Sequence, residues 1–155
     1  MSRSFWVSLL CMGLLAVPQS AQTRLIATPS EQELFDHADV VVIAVPGIGR
    51  DTDEKTVLPN LRPDVHVVGV TTELKVKAWL KGEPRTPKIE LHHYRLDWNK
   101  ATTPLNNGPL LLEFHSAEAR TYLMYLVREA DGRYAPVAGQ TDPAGFSIMR
   151  VMREL

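Results

Sequence analysis

The chain has 155 residues, of which 45% are hydrophobic and 23% charged, with a formal net charge of −1 and a single cysteine. So even a charge balance gives no electrostatic reason to expect nucleic acid or an anionic membrane as partner. One cysteine also excludes an intrachain disulfide scaffold.

The first element in chain order is an export signal. Arg3 supplies the positive start, Phe5 to Val17 ("FWVSLLCMGLLAV") is a charge-free, mostly apolar run, and Pro18 with the small residues Ser20 and Ala21 follows. The run of 13 is shorter than the roughly 18 to 20 residues that span a bilayer, so residues 1–21 read as a cleaved signal peptide rather than an anchor. Cleavage is expected between Ala21 and Gln22, although Gln19 departs from the small-x-small pattern. Cys11 lies inside the apolar run behind Leu10, which is no lipobox.

Removing those 21 residues, which carry the single charge of Arg3, leaves 134 residues at a net charge of −2 and no cysteine. A chain of that size buries about two-thirds of its unfolded surface, enough for a self-sufficient core. A thiol-free exported domain suits a bacterial periplasmic or secreted protein, with no membrane span left after cleavage.

Residues 22–37 form an N-terminal segment with one short helix. Ser30 and Glu33 make a capping box ahead of "EQELFDHA", with Leu34, Phe35 and Ala38 as its apolar positions. Residues 38–155 then read as one β domain. "ADVVVIAVPG" gives a continuously apolar strand from Val40 to Val45, and residues 46–64, rich in Pro, Gly and charge, read as a long exposed connection.

The stretch "VVGVTTELKVKAWLKGE" is a long alternating strand. Val68, Val70, Thr72, Leu74, Val76, Ala78 and Leu80 fall on one face, assigned to the core. Gly69, Thr71, Glu73, Lys75, Lys77 and Trp79 fall on the other, assigned to solvent, except that Trp79, at the strand's end, is expected to pack over the barrel end beside Lys81-Gly82 rather than to serve as an exposed binding anchor. A strand of about 40 Å must curl, and Gly69 is the expected bend. "PKIELHHY" is a third strand, and residues after Tyr94 a second long loop. "PLLLEFHS" (109–116) reads as a short apolar strand. Tyr122 to Arg128 pairs through the Asp131-Gly132 turn with a strand starting at Arg133-Tyr134. Ser147 to Met152 reads as a last strand.

"ADVVVIAVPG", "TTELKVKAWLKGE" and "RTYLMYLVREADGRYAPVAGQTDP" together resemble the TIMP-like, or netrin-like, OB-fold superfamily, and its cysteine-free bacterial secreted members in particular. The resemblance implies a mainly β fold: a small five- or six-stranded OB-like barrel with a short N-terminal flanking helix. Tissue inhibitors of metalloproteinases chelate a target's zinc through a mature N-terminal cysteine, and this chain has none to offer. No inhibitory residue carries over.

Several side chains invite a chemical reading. His92, His93 and His115 match no metal-ligand spacing, and neighbours in a strand point to opposite faces, so no metal or other cofactor is expected. Ser116 beside His115 lacks the glycines of a nucleophile elbow. Lys75, Lys77 and Trp79, joined by Tyr94 if the register allows, are the candidate binding residues. Glu73 and Glu90 interrupt that patch, which argues against nucleic acid.

The sequence therefore points to a non-enzymatic binding module in the periplasm or outside the cell, with another envelope or extracellular protein as partner. Its alternatives are a protease inhibitor acting through its loops and a cryptic hydrolase. The export reading has a direct test. Intact-mass measurement of the envelope fraction should find a chain beginning close to Gln22, and a mass that retains Met1 to Ala21 refutes it.

Overall fold

The computed structural model describes residues 29–58, 64–83, 85–100, 111–114, 120–139 and 146–151. The export signal, His115 and Ser116 lie outside them. One helix, α1 (Glu31–His37), precedes six strands: β1 (Val40–Val57), β2 (His66–Lys81), β3 (Lys88–Leu96), β4 (Tyr122–Arg128), β5 (Tyr134–Pro136) and β6 (Ile148–Arg150).

Helix α1 starts as its capping box requires. Glu33 N–H donates to Ser30 Oγ at 3.2 Å, and Ser30 N–H donates to Glu33 Oε2 at 2.7 Å. Seven residues are too few to hold a helix in water alone. Leu34 anchors it, packing with Ala38, Val41 and Tyr125 against the barrel. Its last carbonyls are met by Lys81, whose Nζ donates to Phe35 O at 2.5 Å and Asp36 O at 3.2 Å.

The strands follow the order β1-β2-β3-β5-β4, and β4 returns to β1, so five strands close a small OB-like barrel. Closure runs through Val40–Ala44 against Tyr122–Leu126 on one side and a parallel bridge from Leu91 to Tyr134 on the other. β6 extends the free part of the β4 edge, pairing Met124 with Ile148. Inside lie Val40, Val42, Leu74, Leu91, Met124 and Leu126, all nearly or fully shut off from solvent. The β4–β5 hairpin turns as expected, with Gly132 at φ +90° in the Asp-Gly turn.

Three expectations need correction. The first strand does not end at Val45: β1 continues to Val57 through residues assigned to an exposed connection. After Ala44 it parts from β4 and becomes an edge, where the missing N–H of Pro46 goes unnoticed, while its inner edge still pairs with β2 as far as Val57–His66. Residues 111–114 are not a strand. Leu112 and Phe114 instead lie against a core whose sheet has already closed without them.

The third correction concerns β2. Its pairing with β1 slips at Lys77, between the pairs Ala44–Val76 and Ile43–Ala78, and again at Leu80, between Val42–Trp79 and Val41–Lys81. Each slip is a bulge, one extra residue on β2. The strict alternation breaks, so Trp79 turns inward onto the core and Leu80 turns out, 53% exposed. Trp79 Nε1–H donates to Thr86 O at 3.0 Å, tying the strand's end to the following loop. The strand stops at Gly82 because the chain there passes hard against β1: a Cβ would stand 2.3 Å from Asp39 O, and φ is +87°.

Trp79→Ala removes a half-buried indole and its hydrogen bond, and should destabilise the fold by about 3 kcal/mol. Urea denaturation measures it, and an unchanged midpoint would contradict the packing role.

Candidate functional site

Antiparallel pairing of β2 with β3 sets Thr71 opposite His92, Val70 opposite His93 and Gly69 opposite Tyr94. Successive side chains therefore leave β3 in opposite directions. His93 enters the barrel and His92 the other face, as their adjacency requires. Two different polar arrangements result.

His93 is buried, with its Nε2 2.9 Å from Thr72 Oγ1 and its ring edge-on to Phe114 at 5.7 Å. Phe114 in turn meets Tyr122 edge-on. Burial lowers the His93 pKa from its ordinary value to about 4, against opposing backbone hydrogen bonding from Leu112. The ring is thus a neutral partner for a core hydroxyl.

His92, also buried, sits between two carboxylates. Its Nδ1 is 2.9 Å from Glu129 Oε2, and its Nε2 is 3.1 Å from Glu54 Oε2. Tyr94 O–H donates to Glu54 Oε1 and its ring meets His92 edge-on at 5.0 Å. Burial, then the Glu54 carboxylate, raises the Tyr94 pKa. Arg133 Nε lies 3.9 Å from Glu129 and 2.6 Å from Asp131 Oδ2, which extends the charge network onto the β4–β5 turn. The two glutamates address opposite nitrogens of one ring, so they do not converge on a common ion. Three residues of β1, Thr52 to Glu54, bulge opposite the single Gly69 of β2. Any side chain at 69 would collide there, its Cβ 2.5 Å from Thr52 Oγ1 and 3.1 Å from Glu54 Cβ. Gly69, expected as a bend, is what lets Glu54 cross over β2 to His92 and Tyr94.

A cleft of about 420 Å³ opens beside the same bulge. Asp51, Asp53, Lys55, Arg95, Asp97 and Asn99 line it, over Val68. Arg95 grips Asp51 bidentately, with Nε donating to Oδ1 at 2.7 Å and a second bond to Oδ2, and this holds the Asp51 carboxyl below its usual range. The far wall is a tight turn after β3: Asn99 N–H donates to Asp97 Oδ1 at 3.1 Å and Lys100 N–H to Asp97 O at 2.9 Å. Trp98 stands on that turn, 67% exposed.

The four candidate binding residues do not gather. Lys75 and Lys77 are exposed on β2, with Lys75 paired across to Lys88. Trp79 is turned in, and Tyr94, opposite Gly69, lies six residues or about 20 Å along the ribbon from Lys75. Sequence reasoning missed Glu54, Glu129 and Arg133 because nothing local links them to His92. It also left Trp98 and Arg95 unremarked in a loop. No protein-family model matches the chain, and no curated protein matches it.

The folded-state pKa of His93 lies below its unfolded value, so the unfolded chain takes up a proton first as pH falls. Stability from this residue is complete above about pH 6.5 and is lost toward pH 4, by about 2 to 3 kcal/mol at pH 4.5. Denaturation at pH 7.5 and 4.5 should show a difference smaller by about that amount in His93→Gln than in the parent chain. Equal differences would mean that His93 is not held neutral.

Proposed function

We propose that this chain is an exported, non-catalytic binding module that docks on another envelope or extracellular protein through the outer face of β2. Leu80 carries the reading. Two bulges re-aim the end of β2 so that a leucine, not the tryptophan, faces solvent, with the exposed Lys77 and Lys75 along the same strand. Bulges re-aim side chains at the cost of ladder hydrogen bonds, and an exposed apolar side chain with polar residues around it fits the apolar centre and polar rim of a contact surface. The leader-like residues 1–21 support export, and the resemblance to netrin-like barrels supports a binding rather than a catalytic role.

The same face argues against single-stranded nucleic acid as the ligand. Lys88 pairs with Glu73 at 2.9 Å, Glu73 stands opposite Glu90, and the aromatic side chain that would stack bases is packed on the core.

Leu80→Asp tests the docking face, since an exposed side chain can be charged without unfolding the barrel. Crosslinking in the host envelope should trap a protein on the parent chain that Leu80→Asp fails to trap, with both chains melting at the same temperature. Identical crosslinks from the two chains would refute this face.

A further inference from the structure

We propose that His92 is a proton-operated latch: with both ring nitrogens protonated it pins the Thr52–Glu54 bulge of β1 to the barrel, and loss of one proton lets the bulge go. The device is separate from the Leu80 face and shares no residue with it.

Three parts of the fold meet at one ring. His92 leaves β3 with its side chain 5% exposed, Glu54 reaches it from β1 across Gly69, and Glu129, just after β4, meets it from the other side. Nδ1 stands 3.0 Å and 2.9 Å from the two oxygens of Glu129, while Nε2 has Glu54 Oε2 at 3.1 Å. An ionised carboxylate only accepts, so a ring that holds both must carry a proton on each nitrogen. A neutral imidazole keeps one N–H and turns a lone pair on the second carboxylate. Glu129 keeps the N–H, because both its oxygens address Nδ1 and Arg133 stands 3.9 Å behind it. Glu54 therefore faces the lone pair. Its other oxygen retains only the neutral O–H of Tyr94, and its side chain, 38% exposed, has water to turn to.

The remaining charges near the ring are Asp131 and Arg133 of the β4–β5 turn, which pair with each other at 2.6 Å. β2 sets Thr71 opposite the ring and brings no charge. His93, the neighbour on β3, faces the barrel interior, where burial lowers its pKa to about 4, so it stays neutral near pH 7. Imidazole is the side chain whose charge ordinarily changes between about pH 5 and about pH 8. The latch is closed on the acid side of that change and open on the alkaline side.

What it governs is the outer half of β1. Beyond Ala44 this strand pairs with β2 alone, and its ladder is interrupted between Asp51, opposite Val70, and Lys55, opposite Val68. Arg95 holds Asp51, and Glu54 N–H donates only within the bulge, to Thr52 Oγ1 at 3.3 Å. The Glu54 side chain is thus the tie between the bulge and the body of the barrel. Thr52 and Asp53 also wall the cleft, so the latch sets the cleft's shape as well.

Nuclear magnetic resonance of the full chain at about pH 5.5 and about pH 8.5 tests the latch. Ring nitrogen shifts of His92 should report two N–H groups at the lower pH and Nδ1–H alone at the higher. Backbone order parameters at Thr52, Asp53 and Glu54 should fall with them from about 0.85 to below about 0.6. Val42 and Leu126, inside the barrel, should not change. Glu54→Ala should leave the bulge loose at both pH values. Glu54→Gln should hold it at both, since a side-chain amide can accept from an N–H or donate to a bare ring nitrogen. The proposal is overturned if His92 keeps both protons at the higher pH, if Nε2 rather than Nδ1 retains the proton, if the bulge of the parent chain is equally ordered at both pH values, or if its loosening persists in Glu54→Gln.

Discussion

Everything distinctive about this molecule depends on the pairing of β1 with β2 at unequal residue counts. Two bulges on β2 and two on β1 absorb the mismatch, and each has a separate consequence. At Lys77 and Leu80 they exchange the facing of Trp79 and Leu80. At Gly47 and Ile48, opposite Glu73, they push Ile48 out to 77% exposure. At Thr52 to Glu54 they carry a carboxylate across β2 and shape one wall of the cleft. A ribbon in perfect register would have had a plain polar outer face, with none of these features.

The ribbon's outer half also has to live with an edge. Beyond Ala44, β1 has no strand partner on its far side among the described residues. Such an edge is a template for unwanted pairing, and Pro46, the irregular register and the charges from Arg50 to Lys55 make it a poor one. The bulges that build the cleft thus serve protection as well. The His92 network adds to this by tethering the Thr52–Glu54 bulge to β3 and to the β4–β5 turn.

The docking face and the cleft lie at opposite ends of β2. Leu80 is next to Lys81, which caps α1 and whose ammonium lies 5.0 Å over the Phe35 ring. The cleft lined by Asp51 and Arg95 sits at the other end, where β2 begins.

By itself the sequence determined the β class, the capped helix, the hairpin at Asp131-Gly132 and the stop at Lys81-Gly82, because each follows from short-range chemistry: a capping box, period-two alternation, a residue that tolerates positive φ. It also determined that His92 and His93 part company. The length of β1, the outward facing of Leu80, and the meeting of Glu54 with His92 across 38 positions were decided by the tertiary structure alone, whereas the packing of Trp79 was legible from its place at the strand's end. Periodicity records which side a residue takes only while the register is unbroken. Where an extra residue enters depends on the partner strand, and a single chain segment carries no mark of its partner's count.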